Sequence, residues 1–204
     1  GIRGASELLH EELPPQKRKQ FLCNIQTESV RLQNLVDQLL ALSSLENRTE
    51  LGAPTKVSLA ALLQRVVNQH QSNILDKELR FEMSAAEDQF IQGEEFLLET
   101  ALNNLLQNAI DFSPEGGVIS LHLNAKKDRA QITILDEGPG IPEYAEERIF
   151  ERFYSLPRPG SERKSSGLGL CFAREAIELH GGKLRIRNRE GGSGAEAIVE
   201  LPRL

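Results

Sequence analysis

EEFLLETALNNLLQNAIDF, residues 94–112, is the stretch that decides how this chain of 204 residues folds. Leu98, Ala101, Leu102, Leu105 and Ala109 recur three and four residues apart. That spacing lays one apolar stripe along a helix with a buried face. Asn104 and Asn108, four apart, share a neighbouring face, and Asp111 follows one turn on. Asparagine is a poor helix former, so two on one face of a core helix call for a reason. A solvated polar face is one reason. The wall of a polar site is another, since amide oxygens can ligate a hard cation such as magnesium.

Downstream, alternating runs Gly117–Ala125 and Ala130–Asp136 are joined by Lys126-Lys127-Asp128-Arg129 and predict a strand hairpin. A helix is expected over Gly167–His180, closed by Gly181-Gly182 as a left-handed cap. Strands Lys183–Asn188 and Ala195–Leu201 complete the pattern. Upstream, short strands are expected at Leu79–Met83 and Gln89–Gln92, preceded by a helix from Leu59 to about Leu75 with Ser58 as its N-cap. Strands and helices in two layers make residues 57–204 an α/β sandwich.

Asn47–Lys56 is polar, with Gly52 and Pro54, and reads as a linker. Before it, residues 1–46 read as a helical hairpin. Ile2, Ala5, Leu8 and Leu9 share a face in a helix ending by Leu13, and Pro14-Pro15 stops it. A second helix runs from about Gln16 to Glu46. Ile25, Leu32 and Leu39 repeat every seven residues, as do Leu35 and Leu42, which suits a bundle or coiled coil. A hairpin alone cannot bury both faces, so a dimeric four-helix bundle is expected, with docking onto the following domain as the alternative.

Composition narrows the class. Hydrophobic residues make up 39% and charged residues 26%, ordinary values for a globular protein. A formal net charge of −6 argues against a general nucleic-acid binder. No apolar run approaches the roughly 18 to 20 residues of a membrane span, and no signal-peptide pattern is present, so this stretch is expected to be a soluble piece. Cys23 and Cys171 form no CxxC pair and are expected to be buried thiols in a reducing compartment.

Two glycine-rich segments carry chemistry. Asp136-Glu137-Gly138-Pro139-Gly140-Ile141-Pro142 follows a strand. It can be a tight turn. It can also recognise adenine, with Asp136 accepting from an exocyclic amine while the glycines let a flat base approach the backbone. Ser166-Gly167-Leu168-Gly169-Leu170 opens a helix, where free amides and the positive dipole end can hold phosphates. No Lys-Ser/Thr pair follows, so this is not a P-loop. Between the segments lie about 25 residues, long for a compact domain and read as a lid. Its start, Ile149-Phe150-Glu151-Arg152-Phe153-Tyr154, carries aromatic surface to tether one end.

The order of these features, an Asn helix, DxGxG, FERFY and SGLGL, closely resembles the catalytic domain of sensor histidine kinases, members of the ATPase superfamily that includes gyrase and MutL. The resemblance covers Val57 to Leu201. "IRGASELL" and "LLALSSLEN" look like the family's dimerisation hairpin, and NAIDFSPE, RIFERFYSLPR and KSSGLGL look most like the CreC-type branch. The resemblance implies an α+β two-layer sandwich, the Bergerat ATP-binding fold with a mixed sheet against helices, after an all-α hairpin that dimerises as a four-helix bundle. It implies ATP and Mg2+ as cofactors, a response-regulator receiver domain as partner, and a homodimer through residues 1–46. It also implies a cytoplasmic position in a membrane-anchored inner-membrane sensor. The alternative is a module of the same superfamily acting as a conformational ATPase or a non-catalytic nucleotide binder.

By that resemblance Asn108 looks like the magnesium ligand and Asn104 a second contact to metal or phosphate. Phe112 stacks on adenine and Asp136 reads it, beside Gly138, Gly140 and Ile141. Arg152 contacts the terminal phosphate and Tyr154 lies beside it. Ser166, Gly167, Leu168, Gly169 and Leu170 form the phosphate cradle, and Lys164 reaches the phosphates from the lid. Three positions depart from the pattern. Asp111 stands where many members carry a phosphate-holding base, Ser165 replaces a lid glycine, and Ala195 replaces a threonine. Weaker nucleotide binding is expected.

The family phosphorylates a histidine in an H-E-L-K/R-x-P-L motif. His10 is followed by Glu11, but Glu12 and Leu13 break the motif, and only one uninterrupted helix follows Pro15. The IRGASELL register puts the acceptor about nine residues before Ile2, some two and a half turns upstream. No catalytic residue is therefore assigned within the chain. His70 and His122 read as surface groups, and His180 as a cation favoured at a helix C-terminus.

Overall fold

The computed structural model describes residues 14–159 and 165–204. The expected first helix with His10, and the expected phosphate contact Lys164, lie outside the described residues. The chain divides into two compact units, Gly1–Ser43 and Ser44–Leu204.

The first unit is dominated by helix α1 (Pro15–Glu46). Pro15 opens this helix, one residue before the expected start, because at the first helical position its missing amide is no loss and its fixed φ suits the turn. Along the heptad rows Ile25 and Leu35 are half-buried, whereas Leu32 and Leu39 are exposed, as are Leu22, Val30, Val36 and Leu40. Cys23 is exposed, contrary to the expected buried thiol. Two residues from Ile25, it points about 200° away around the helix.

The first strand of the second unit is one the sequence reading missed. β1 (Thr55–Ser58) overlaps the end of the expected linker and pairs antiparallel with β3 (Phe90–Gly93). Ser58 then caps α2 (Leu59–Gln69), its Oγ accepting from the Ala61 amide at 3.1 Å. The expected single helix to Leu75 breaks at His70 and resumes as α3 (Gln71–Asp76). The break buries the His70 ring, with Nε2 2.9 Å from Asn103 Oδ1, so His70 is not the surface group expected. His122 is half-buried and pairs through Nδ1 with Ser84 Oγ at 2.7 Å.

The asparagine helix is α4 (Glu95–Phe112), and all five residues of its predicted stripe are buried. It packs against α2 and against α5 (Gly169–Leu179), which begins two residues later than expected. Behind these helices lies a mixed sheet in the order β2-β4-β5-β7-β6, formed by β2 (Arg80–Ala85), β4 (Val118–Lys126), β5 (Arg129–Leu135), β6 (Lys183–Asn188) and β7 (Ala195–Pro202). β2 runs parallel to β4, and the other pairs are antiparallel. Strand alternation puts Ile119, Leu121 and Leu123 of β4 with Ala130, Ile132 and Ile134 of β5 and Val199 and Leu201 of β7 into one buried layer. The result is a two-layer sandwich.

His180, the C-cap of α5, behaves differently from expectation. It is buried, its Nδ1 lies 2.6 Å from the Ala176 carbonyl oxygen, and its Nε2 accepts from the Glu94 amide at 2.9 Å. Burial holds the ring below the ordinary value of 6.5, against the pull of Ala176 and Glu94, so it is a neutral core group rather than a capping cation. Glu94 in turn accepts from Arg48 and, at 2.6 Å, from the Gly52 amide. A group with a depressed folded value stabilises fully above the unfolded value, and that contribution is lost as pH falls. Melting temperature should therefore drop as pH falls below about 6.5, before the carboxylates titrate, and His180→Gln should flatten the drop. An unchanged slope in that variant would show that another group carries it.

Candidate functional site

Three segments meet at the C-terminal half of α4. The first is the asparagine face. Asn104 and Asn108 are half-buried, and among the described residues neither side-chain amide has a hydrogen-bond partner. Amides left unsatisfied on a half-buried face are ready to engage a ligand.

The glycine segment before α5 is the second. A Cβ added at Gly169 would lie 2.9 Å from Asn104 Oδ1, so backbone and amide are in direct apposition. Leu168 occupies the N-cap position and supplies no side-chain cap, which leaves the first amides of α5 free for an anion. Gly167 adopts φ +68° and a Cβ there would meet the Phe153 backbone at 2.5 Å, so only glycine fits. Ser166 Oγ accepts from the Leu168 amide at 3.3 Å, and Leu170 is half-buried in the first turn.

The third segment follows β5. Asp136 is 8% exposed, and its Oδ1 accepts from the amides of Gly138 at 2.8 Å and Ala195 at 3.0 Å. Among the described residues no donor reaches Oδ2. Burial raises the Asp136 carboxyl above its ordinary value, opposed by those two amides and by Arg189. A Cβ at Gly138 would lie 2.7 Å from the Phe112 carbonyl oxygen, which brings the end of α4 against this loop. Phe112 itself is half-buried.

Sequence reasoning missed the residues that fix this loop. Asn188 Oδ1 accepts from the Ile141 amide at 2.6 Å, and its Nδ2 donates to the Ile141 carbonyl at 2.9 Å. Arg189 Nη1 donates to the Asp136 carbonyl at 2.8 Å. Both come from the end of β6, and only the pairing of β6 with β7 brings them near residue 136. Ala195 contributes through its backbone, which the absence of a threonine hydroxyl leaves intact.

The residues of the aromatic segment differ in burial: Ile149 is buried, and Phe150 is half-buried with the Arg174 guanidinium over its ring at 5.0 Å. Phe153 is 65% exposed, with φ +62°, while Tyr154 is half-buried with the Arg148 guanidinium over its ring at 4.3 Å. Arg152 is exposed and paired with Glu46. Asp111 does not face the site alone: Arg158 pairs with it at 2.5 Å.

Amide oxygens at Asn104 and Asn108 fit a hard cation that takes its other ligands from phosphate and water. Among the described residues no cluster of three or more His, Cys, Asp or Glu side chains could hold a metal by itself. The arrangement is a carboxylate for a base amine at one end and free helix amides for phosphates at the other, with amide oxygens between them.

Residues 93–204 match the family described as histidine kinase-, DNA gyrase B-, and HSP90-like ATPase, and residues 1–48 match the His Kinase A (phospho-acceptor) domain. The chain belongs to the histidine kinase-, DNA gyrase B- and HSP90-like ATPase family and carries the domain pair of its sensor histidine kinases. Among the curated relatives, Sensor protein CreC of Escherichia coli (strain K12) is 45% identical over 94% of this chain and 40% of its own length. Heme sensor protein HssS of Staphylococcus haemolyticus is 32% identical over 91% of the chain and 40% of its own length. The chain thus spans about 40% of the length of these relatives. The solved catalytic domain of histidine kinase ThkA matches 74% of this chain and 95% of its own, at 29% identity and a TM-score of 0.65. ThkA in complex with response regulator protein TrrA matches 100% of this chain and 57% of that one, at 27% identity and a TM-score of 0.80. Among the described residues no helix is long and apolar enough to cross a membrane.

Proposed function

We propose that this chain is the ATP-binding and phosphoryl-transferring part of a sensor histidine kinase, in which residues 57–204 bind magnesium-ATP. The observation that carries the reading is Asp136, with Oδ1 held by two amides and Oδ2 available to a base, in the loop that meets α4 at Phe112, while the free amides of α5 meet the same helix near Asn104. Asn108, with Asn104, would hold Mg2+ jointly with the phosphates, and the ion would neutralise charge on the transferring group. Phe112, Gly138, Gly140 and Ile141 would border the base. Ser166 to Leu170 would cradle the phosphates, with Arg152, Tyr154 and Lys164 toward the terminal one. The protein contributes position and charge neutralisation rather than a covalent intermediate.

Residues 1–46 form the dimerisation and phosphotransfer hairpin, supported by the exposed apolar rows of α1, and residues 47–56 link it to the catalytic domain. In this reading the chain is a cytoplasmic portion of an inner-membrane sensor. It passes the ATP γ-phosphoryl to a histidine outside these 204 residues and then to an aspartate of a response regulator. The likeness to a kinase bound to its regulator supports that partner class.

The test separates substrate from catalyst. With labelled ATP the chain should stay unlabelled, yet it should phosphorylate the histidine of an added hairpin bearing the H-E-L-K/R-x-P-L motif. Acid-labile label on His10 of the chain alone would overturn the register. Tight ATP binding with no transfer to the hairpin would favour a nucleotide-binding module without kinase activity.

A further inference from the structure

Arg158 is the cation that the sequence leaves unassigned. Its Nη2 lies 2.5 Å from Asp111 Oδ2, one helical turn beyond Asn108, and the two side chains are 25% and 15% exposed. The approach is an ion pair rather than an aligned hydrogen bond, since no N–H points squarely at Oδ2. Asp111 Oδ1 is taken by Gln107 Nε2 at 2.8 Å, and Lys77 Nζ is spent on the carbonyl oxygens of Ile110 and Asp111 at 2.7 and 2.9 Å. Burial raises the Asp111 carboxyl, and Arg158 is the strongest influence against it.

Two features make this more than a structural pair. A guanidinium carries five N–H donors in a rigid fork suited to phosphate, and Arg158 Nε is buried with no hydrogen-bond partner among the described residues. A buried charged donor left unmet is costly and calls for an acceptor. The pair sits beside the proposed phosphate site: Asn108 is three residues from Asp111 on the same helix, on the face that meets the glycine segment through Asn104 and Gly169. Without a cation beside it, the Asp111 carboxylate would repel a polyanion arriving there.

We propose that Arg158 binds the triphosphate of the nucleotide and that Asp111 is its positioning residue, holding the guanidinium against the end of α4. The inference rests on the nucleotide-binding reading and adds a residue to that same site. It also reverses the expected effect of Asp111: the acid brings a cation to the phosphates instead of removing one.

The experiment titrates the 204-residue chain in magnesium with ATP and, by NMR, with adenosine. Arg158→Ala should weaken ATP binding about tenfold or more, the scale of a lost charge-assisted contact, and leave adenosine binding unchanged. Arg158→Gln, which keeps more of the packing, should show the same selective loss. Asp111→Arg placed in the Arg158→Ala background should restore ATP affinity, because a cation returns to the same wall. Unchanged ATP affinity in both Arg158 variants, or equal losses for ATP and adenosine, would overturn the inference alone and leave a purely structural ion pair. A parent chain binding neither ligand would overturn the nucleotide reading and this inference together.

Discussion

Asn108→Ala should lower the affinity for ATP in magnesium by about ten- to a hundredfold, the range expected when a contact to a charged group is lost. The melting temperature without nucleotide should stay level or rise slightly. That pairing of outcomes follows from two facts. The Asn108 amide has no hydrogen-bond partner among the described residues, so removing it leaves nothing unsatisfied in the fold. Alanine also favours a helix over asparagine by roughly half a kcal/mol. Calorimetric titration with and without magnesium reads both parts. A loss of equal size with and without the metal would assign Asn108 to the nucleotide directly, and equal affinity in variant and parent would remove it from the site.

Asp136→Asn should weaken ATP binding by about 1–3 kcal/mol, the cost of a mispaired buried polar group, and shift preference toward GTP. The existing hydrogen bonds dictate how the new amide sits. Its oxygen must accept from the amides of Gly138 and Ala195, as Oδ1 does now. The NH2 is thereby turned to the Oδ2 position, where it opposes the exocyclic amine of adenine but can donate to the carbonyl of guanine. Because both amides stay satisfied, the fold should survive. Competition of ATP against GTP on parent and variant decides it: a parent that binds GTP as tightly as ATP would show that Asp136 reads no base.

What was legible in the sequence follows from how local each signal is. The stripe of α4 needs no partner to be read, because a helix imposes its own period, and Leu98, Ala101, Leu102, Leu105 and Ala109 are all buried as that period requires. The hairpin of β4 and β5 declares itself by alternation and a charged turn. Strand β1 is only Thr55-Lys56-Val57-Ser58, too short and too polar to alternate visibly; it is a strand because β3 lies beside it. The three misread side chains fail for a shared reason. His70 and His180 are buried, and Cys23 exposed, by what packs around them rather than by their own neighbours in sequence. At the proposed site, Asp136 and the glycines could be named as candidates because their chemistry is written in adjacent residues. Asn188, Arg189 and Arg158 could not, since each reaches the site across 47 to 53 positions of chain.

The strand order has a consequence for when the site comes into being. β7, the last of the described strands in chain order, lies between β5 and β6 and is the only described strand paired with β6. During synthesis β6 therefore waits without a neighbour, and Asp136 waits without the Ala195 amide. The asparagine helix and the glycine segment will long since have left the ribosome by then. Domains fold as units during translation, and here the unit closes only with residues 195–202. The loop around Asp136 is thus completed only with β7: a nascent chain stalled short of residue 195 would leave β5 unpaired on one edge and Asp136 without the Ala195 amide.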